Sequence, residues 1–210
     1  MKTIYYQLIL DRSGSMESVR EQTVSSFNEQ VSAIQQLVKE FPDQPVSVSL
    51  TLFNDRIDIP LQEESPARIK PFTRKDYEPN GTTSLLDAIG MSVTRLQTKI
   101  ADQLKNGEAE VIVVILTDGH ENSSRNFNLA QIAGLIRELE ATGNWKFSYL
   151  GATLDAIDVA AQMNIDAKYS VRFQKEHTGR TMSKISDSVA SYMRKREDDK
   201  NAKWEMEDDE

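Results

Sequence analysis

Apolar runs alternate with helix-period patterns from one end of the chain to the other. Residues 4–10 form an apolar run broken only by Gln7, and the pattern predicts a first strand. Phe27, Val31, Ile34, Val38 and Phe41 then recur at spacings of four and three, which predicts a helix that Pro42 stops. Residues 46–53 alternate Val and Leu against Ser and Thr, as a strand with two unlike faces does. Asn54-Asp55-Arg56 reads as a turn, and residues 57–61 as a short partner strand. A connection this tight makes the pair antiparallel. Residues 63–79 are polar and contain prolines, so they read mostly as loop.

Ser84 opens a helix carrying Leu85, Ile89, Val93, Leu96, Ile100 and Leu104. Residues 111–116 are uniformly apolar, as in a strand covered on both faces. A helix over 127–142 ends at Gly143-Asn144, and a strand comes next over 145–150. A short helix over 155–163, a short strand over 169–173 and a last helix over 178–196 complete the pattern. Strands alternating with helices predict an α/β fold, doubly wound, with a mainly parallel six-stranded sheet. One antiparallel edge strand and about six helices on both faces complete it. Ligand sites in such folds lie at the carboxyl ends of the strands.

Composition adjusts this picture at the carboxyl terminus. The chain of 210 residues has a net charge of −8 and 39% apolar residues, enough for a packed core. Residues 197–210 hold eight acids against two lysines, a net −6, which leaves −2 for the preceding 196 residues. The expected organisation is therefore one domain over 1–196 and an acidic, flexible tail over 197–210. No basic cluster interleaved with aromatics suggests nucleic acid, and no apolar run has membrane-spanning length. The amino-terminal run lacks a small-residue cleavage site, so a cytoplasmic location is expected. The absence of cysteine excludes thiolate-bound zinc, iron–sulfur clusters and thiol chemistry.

The candidate chemistry lies in three segments, each just after an apolar run. Asp11, Ser13 and Ser15 come directly after the first strand, with Gly14 permitting a tight turn between them. Thr83 sits in Asn80-Gly-Thr-Thr-Ser84, and Asp118 in Leu116-Thr-Asp-Gly119. Each segment alone has an ordinary reading as a turn or helix cap. All five side chains offer hard oxygen and none offers nitrogen or sulfur. That donor set suits Mg²⁺, with Mn²⁺ or Ca²⁺ as alternatives.

Taken together and in this order, the three motifs resemble the von Willebrand factor type A (vWA) domain with its metal-ion-dependent adhesion site (MIDAS). The likeness covers roughly residues 1–195 and is that of a stand-alone bacterial member. It implies a vWA/Rossmann-like fold and the metal ligands Asp11, Ser13, Ser15, Thr83 and Asp118, the last often acting through water. Thr83 rather than Thr82 matches the motif, because it lies two residues before Leu85 and four before Asp87. Only two of the five ligands carry charge, so the bound metal wants a further anionic oxygen. The function this implies is a metal-dependent protein-binding module that captures an Asp or Glu of a partner protein. An alternative is an accessory subunit of a chelatase-like or stress-response ATPase complex.

The enzyme alternative is a Mg²⁺-dependent phosphatase of the haloacid dehalogenase type. It needs a second aspartate two positions after the first, and Ser13 stands there. Phosphate-binding glycine loops and a nucleophile elbow are also missing from the sequence. His120 and His177 are the only histidines, and His120 reads as a solvated loop residue. Glu121 beside it reads as an exposed helix-start residue. The expectation is therefore of no catalysis, no bound organic cofactor, no nucleic acid and no membrane. Nothing in the sequence fixes the oligomeric state, for which a monomer is the default expectation.

Overall fold

The computed structural model describes residues 2–172, 178–199 and 202–206, with only the backbone of 178–183. Six strands form one sheet in the order β3-β2-β1-β4-β5-β6. They are β1 (Thr3–Asp11), β2 (Val46–Phe53), β3 (Ile57–Glu64), β4 (Ala109–Thr117), β5 (Trp145–Gly151) and β6 (Ser170–Arg172). All neighbours are parallel except β2 and β3. The α/β architecture, the six-stranded sheet and the antiparallel edge are thus as the pattern predicts. The central strands β1 and β4 are buried on both faces, which explains their nearly uninterrupted apolar sequences.

The helices are α1 (Arg20–Glu40), α2 (Leu85–Lys99), α3 (Ala101–Lys105), α4 (Leu129–Ala141), α5 (Ala156–Gln162) and α6 (Thr178–Asp198). α1 packs on α6, and α2 packs on α4 and on strands β1 and β2. The helix expected to run from Ser84 through Leu104 is interrupted at Ile100. Ile100 leaves the helical region at φ −109°, ψ 21° while its side chain stays buried, so α2 and α3 meet around a core anchor. β3 runs three residues beyond the expected end. Its polar extension tolerates an edge because Glu63 pairs with Arg95 of α2 and accepts from Ser49 Oγ. Pro60 is accommodated there because an edge strand leaves one row of ladder positions unpaired. The strand expected over 169–173 begins at Ser170, and Phe173 and His177 lie outside the described residues.

The segment beyond residue 196 also differs from a uniformly solvated tail. α6 continues to Asp198, and Trp204 is only 2% exposed. Its indole stacks on Tyr169 with ring centroids 5.5 Å apart, and Ser148 Oγ contacts Met206 Sδ at 3.6 Å. Two large apolar side chains in an otherwise acidic segment give it something to bury, and charge counting alone misses them.

The chain crosses the sheet between β3 and β4, from one side of β1 to the other. The strand order therefore reverses between β1 and β4, and the carboxyl ends of these two strands flank the crevice where α/β sheets bind ligands. Asp11 ends β1 and Thr117 ends β4.

Candidate metal centre

Three loops build the centre. The first comes after β1, where Asp11 is fully buried and its carboxylate is held on both oxygens. Ser13 N–H donates to Oδ1 at 2.7 Å and Thr117 Oγ1 donates to Oδ2 at 2.5 Å. The Asp11 main-chain carbonyl accepts from the buried Tyr77 hydroxyl at 2.5 Å. A short stretch of tight helix, Gly14–Val19, then carries Ser15 out to an exposed position.

The second loop, before α2, is sewn to the first. Gly14 N–H donates to Gly81 O at 3.2 Å, and Asn80 N–H donates to Arg12 O at 3.0 Å. Gly81 has φ +71°, a left-handed conformation that favours glycine, and the Asp55 carboxylate lies where a Cβ would stand. The third loop, after β4, is joined to the second by a reciprocal pair. Thr83 N–H donates to Asn122 Oδ1 at 2.9 Å, and Asn122 N–H donates to Thr83 O at 3.0 Å.

These connections bring all five sequence-predicted residues to one place. Ser15 Oγ donates to Asp118 Oδ1 at 2.5 Å and lies 3.1 Å from Ser13 Oγ. Gly119 shows where the oxygens converge. A methyl group on its Cα would lie 3.2 Å from Thr83 Oγ1, 3.7 Å from Ser15 Oγ and 3.8 Å from Asp11 Oδ2. The backbone is bare where three of the five candidate ligands meet. Asp11, Ser13, Thr83 and Asp118 are buried and Ser15 is exposed, so the cluster opens to solvent past Ser15.

The electrostatics favour a cation. Burial pushes the Asp11 carboxyl above the usual carboxylate range, against the hydrogen bonds from Thr117 and Ser13, and the nearby Asp118 carboxylate pushes it further up. A positive charge between the two acids relieves both effects. The donor set is two carboxylates and three hydroxyls, all hard oxygen, and the Asp11 carboxylate keeps lone-pair capacity beyond its donors from Ser13 and Thr117. Among the described residues, no group of three or more His, Asp or Glu is placed to hold a metal. The hydroxyls are therefore indispensable to this cluster as a metal site. The residues present fit a hard divalent cation.

Around the five candidate ligands stands a frame that sequence reasoning leaves out. Thr117 fixes Asp11 and also accepts from Gly119 N–H at 3.2 Å. Glu121 is not an exposed helix-start residue. Its carboxylate accepts from the main-chain N–H groups of Leu86, Ser123 and Ser124 and from Ser124 Oγ, at 2.7 to 2.9 Å, so it caps α2 from another loop. Asp87 in the first turn of α2 reaches the opposite way. It accepts from the N–H groups of Arg125, Asn126 and Phe127 and from the Asn126 amide, at 2.8 to 3.0 Å. Burial pushes the Asp87 carboxyl up, but these donors prevail and hold it below the usual range. His120 is exposed, with its Nδ1 3.8 Å from an Asp155 oxygen. The only sequence cue for this frame is adjacency to Asp118 and a second acid inside the second motif.

The sequence matches the family model described as the von Willebrand factor type A domain over residues 7–188. No curated protein sequence matches it significantly. Solved structures share the fold at low identity. The ArnB paralog VWA2 from Sulfolobus acidocaldarius is 18% identical, with a TM-score of 0.54, 90% of this chain covered and 45% of the other. The vWF domain of the type V pili tip protein Mfa5 from Porphyromonas gingivalis is 9% identical, with a TM-score of 0.63 and coverages of 90% and 95%. The mussel byssus proximal thread matrix protein 1, solved with a zinc-occupied MIDAS motif, is 14% identical. Its TM-score is 0.57 and the coverages are 90% and 46%. The chain spans 45 to 61% of the length of the first four solved structures it matches.

Proposed function

The chain belongs to the von Willebrand factor type A family, and on that premise we propose that it is a metal-dependent protein-binding module that captures an Asp or Glu side chain of a partner. The observation that carries this reading is the convergence of Asp11, Ser13, Ser15, Thr83 and Asp118 beside Gly119. A divalent cation held there, Mg²⁺ foremost, supplies a Lewis-acidic centre only partly neutralised by two carboxylates, and this favours an added anionic oxygen. Asp11 and Asp118 supply the charge that retains the cation. Ser13, Ser15 and Thr83 supply neutral oxygens that leave its charge uncompensated. Ser15, at the exposed rim, marks the side from which a partner approaches.

We read the module as non-catalytic. The position that the phosphatase chemistry needs for its acid or base is Ser13, whose hydroxyl lies against Ser15 Oγ at 3.1 Å. The buried cluster offers no other proton-transfer group within two residues of Asp11.

Calorimetric titration with Mn²⁺ and Mg²⁺ tests the metal, and binding of an Asp-containing peptide against its Asn counterpart tests the ligand. Wild-type protein should bind the Asp peptide in Mg²⁺ and lose it in EDTA. Asp11→Ala should weaken the metal at least about tenfold. Equal binding of the two peptides, or metal affinity unchanged in Asp11→Ala, overturns the proposal.

A further inference from the structure

A groove of about 440 Å³ opens beside Thr83, between the β2–β3 turn, the loop before α2 and the loop after β4. Thr82 and Ser84, the neighbours of Thr83, line it, so part of its wall is the loop that carries a candidate metal ligand. Arg56 lines it from one flanking loop and Arg125 from the other, and both are exposed. Neither guanidinium has a hydrogen bond or ion pair among the described residues. The two acids that share the groove differ in what they leave available. Asp87 is already held by the N–H groups of residues 125–127, whereas Asp55 lies against Gly81 and its carboxylate accepts no hydrogen bond among the described residues. Two cations unpaired among the described residues therefore line the groove together with one uncommitted carboxylate, next to the candidate metal centre.

We infer that this groove is a second carboxylate subsite. The partner segment it fits carries, within about three residues of the Asp or Glu on the metal, at least one more acid that enters between Arg56 and Arg125. The inference rests on the proposed capture of a carboxylate at the metal. An extended chain advances about 3.3–3.6 Å per residue and points alternate side chains the same way, so an acid two residues along lies roughly 7 Å away. Guanidinium is suited to this role because its planar fork can take both oxygens of one carboxylate. Separation of the tasks gives selectivity: the metal demands one acid, and the groove ranks acidic segments by the charge of the neighbouring residues.

Two labelled peptides test this by fluorescence anisotropy, Ac-Gly-Asp-Gly-Glu-Glu-Gly-amide and its counterpart with both Glu replaced by Gln. In Mg²⁺ the tri-acidic peptide should bind wild-type protein about tenfold more tightly than the mono-acidic one. The double variant Arg56→Gln/Arg125→Gln should bring that ratio to about one while leaving Mn²⁺ affinity and thermal stability unchanged, since both side chains are exposed and the Arg125 bond to Asp87 is made by the backbone. Asp55→Asn should widen the ratio. Equal affinities in the wild type, or a ratio that survives the double variant, overturns the subsite. Should neither peptide depend on Mg²⁺, the metal reading fails, and the subsite is then judged by the arginine Nε–Hε NMR signals with the tri-acidic peptide in EDTA. Shifts confined to Arg56 and Arg125 sustain it, and unmoved signals reject it.

Discussion

At the scale of single residues, the site depends as much on what is missing as on what is present. Gly119 leaves empty the position toward which Thr83, Ser15 and Asp11 turn their oxygens. Gly119→Ala should place a methyl group 3.2 Å from Thr83 Oγ1, a tight contact that intrudes on the ligand shell without disturbing the sheet. Mn²⁺ affinity should fall at least about tenfold, while the thermal midpoint in EDTA stays within a few degrees. Paired calorimetry and thermal melts check both. Unaltered Mn²⁺ binding in that variant places the metal elsewhere. The five candidate ligands are legible in the sequence because hydroxyls and carboxylates at these spacings after strands have few other uses together. Tyr77 is not legible: it lies in a polar, proline-containing loop, and nothing local announces that its ring is buried and its hydroxyl holds the Asp11 carbonyl.

At the scale of elements, the periodicity reads well where one element buries one face and poorly where elements from distant parts of the sequence cap each other. β1, β4 and α1 are plain in the pattern. The exchange between α2 and the loop after β4 is not, because Asp87 and Glu121 look like ordinary surface acids until the loops meet. Asp87→Asn, at a position 5% exposed, should cost about 2 kcal/mol, since a neutral amide offers one acceptor where several N–H groups now share a carboxylate. The sign of the pH dependence is set by the lowered pKa of Asp87. Its stabilisation is fully present above the unfolded value of about 3.9 and is lost as pH falls through the folded value. Urea titrations at pH 7 and in acid should show the Asp87→Asn difference at pH 7 and its shrinkage below about pH 4. A deficit that persists undiminished in acid contradicts this account. The carboxyl-terminal segment makes the same point about distance. Trp204→Ala should destabilise by about 3 kcal/mol, because the buried indole stacks on Tyr169 and its removal leaves a cavity there. A variant as stable as the wild type means the segment adds nothing to the fold.

At the scale of the whole molecule, the question is whether the metal holds the fold together or is held by it. The core is continuous from β2 across β1 and β4 to β5, and the three loops of the centre are tied to one another by protein hydrogen bonds. The domain should therefore fold without metal. Metal should then act only by mass action, adding about 2.7 kcal/mol at a hundredfold excess over its dissociation constant. In a domain of this size that raises the thermal midpoint by roughly 5–10 °C. Asp11→Asn separates the two roles. In the apo state Asp11 is a buried carboxylate near a second one, and the amide removes that burden while keeping an acceptor for Ser13 N–H. In EDTA the variant should be within about 1 kcal/mol of the wild type or above it. In saturating Mg²⁺ it should fall behind by the full linkage term, because it gains nothing from the ion. Melts of both proteins in both conditions form a square whose interaction term is the metal's contribution. If EDTA unfolds the wild type at room temperature, the cation is a structural staple, and the uncompensated charge on which partner capture depends is instead spent on holding the three loops together.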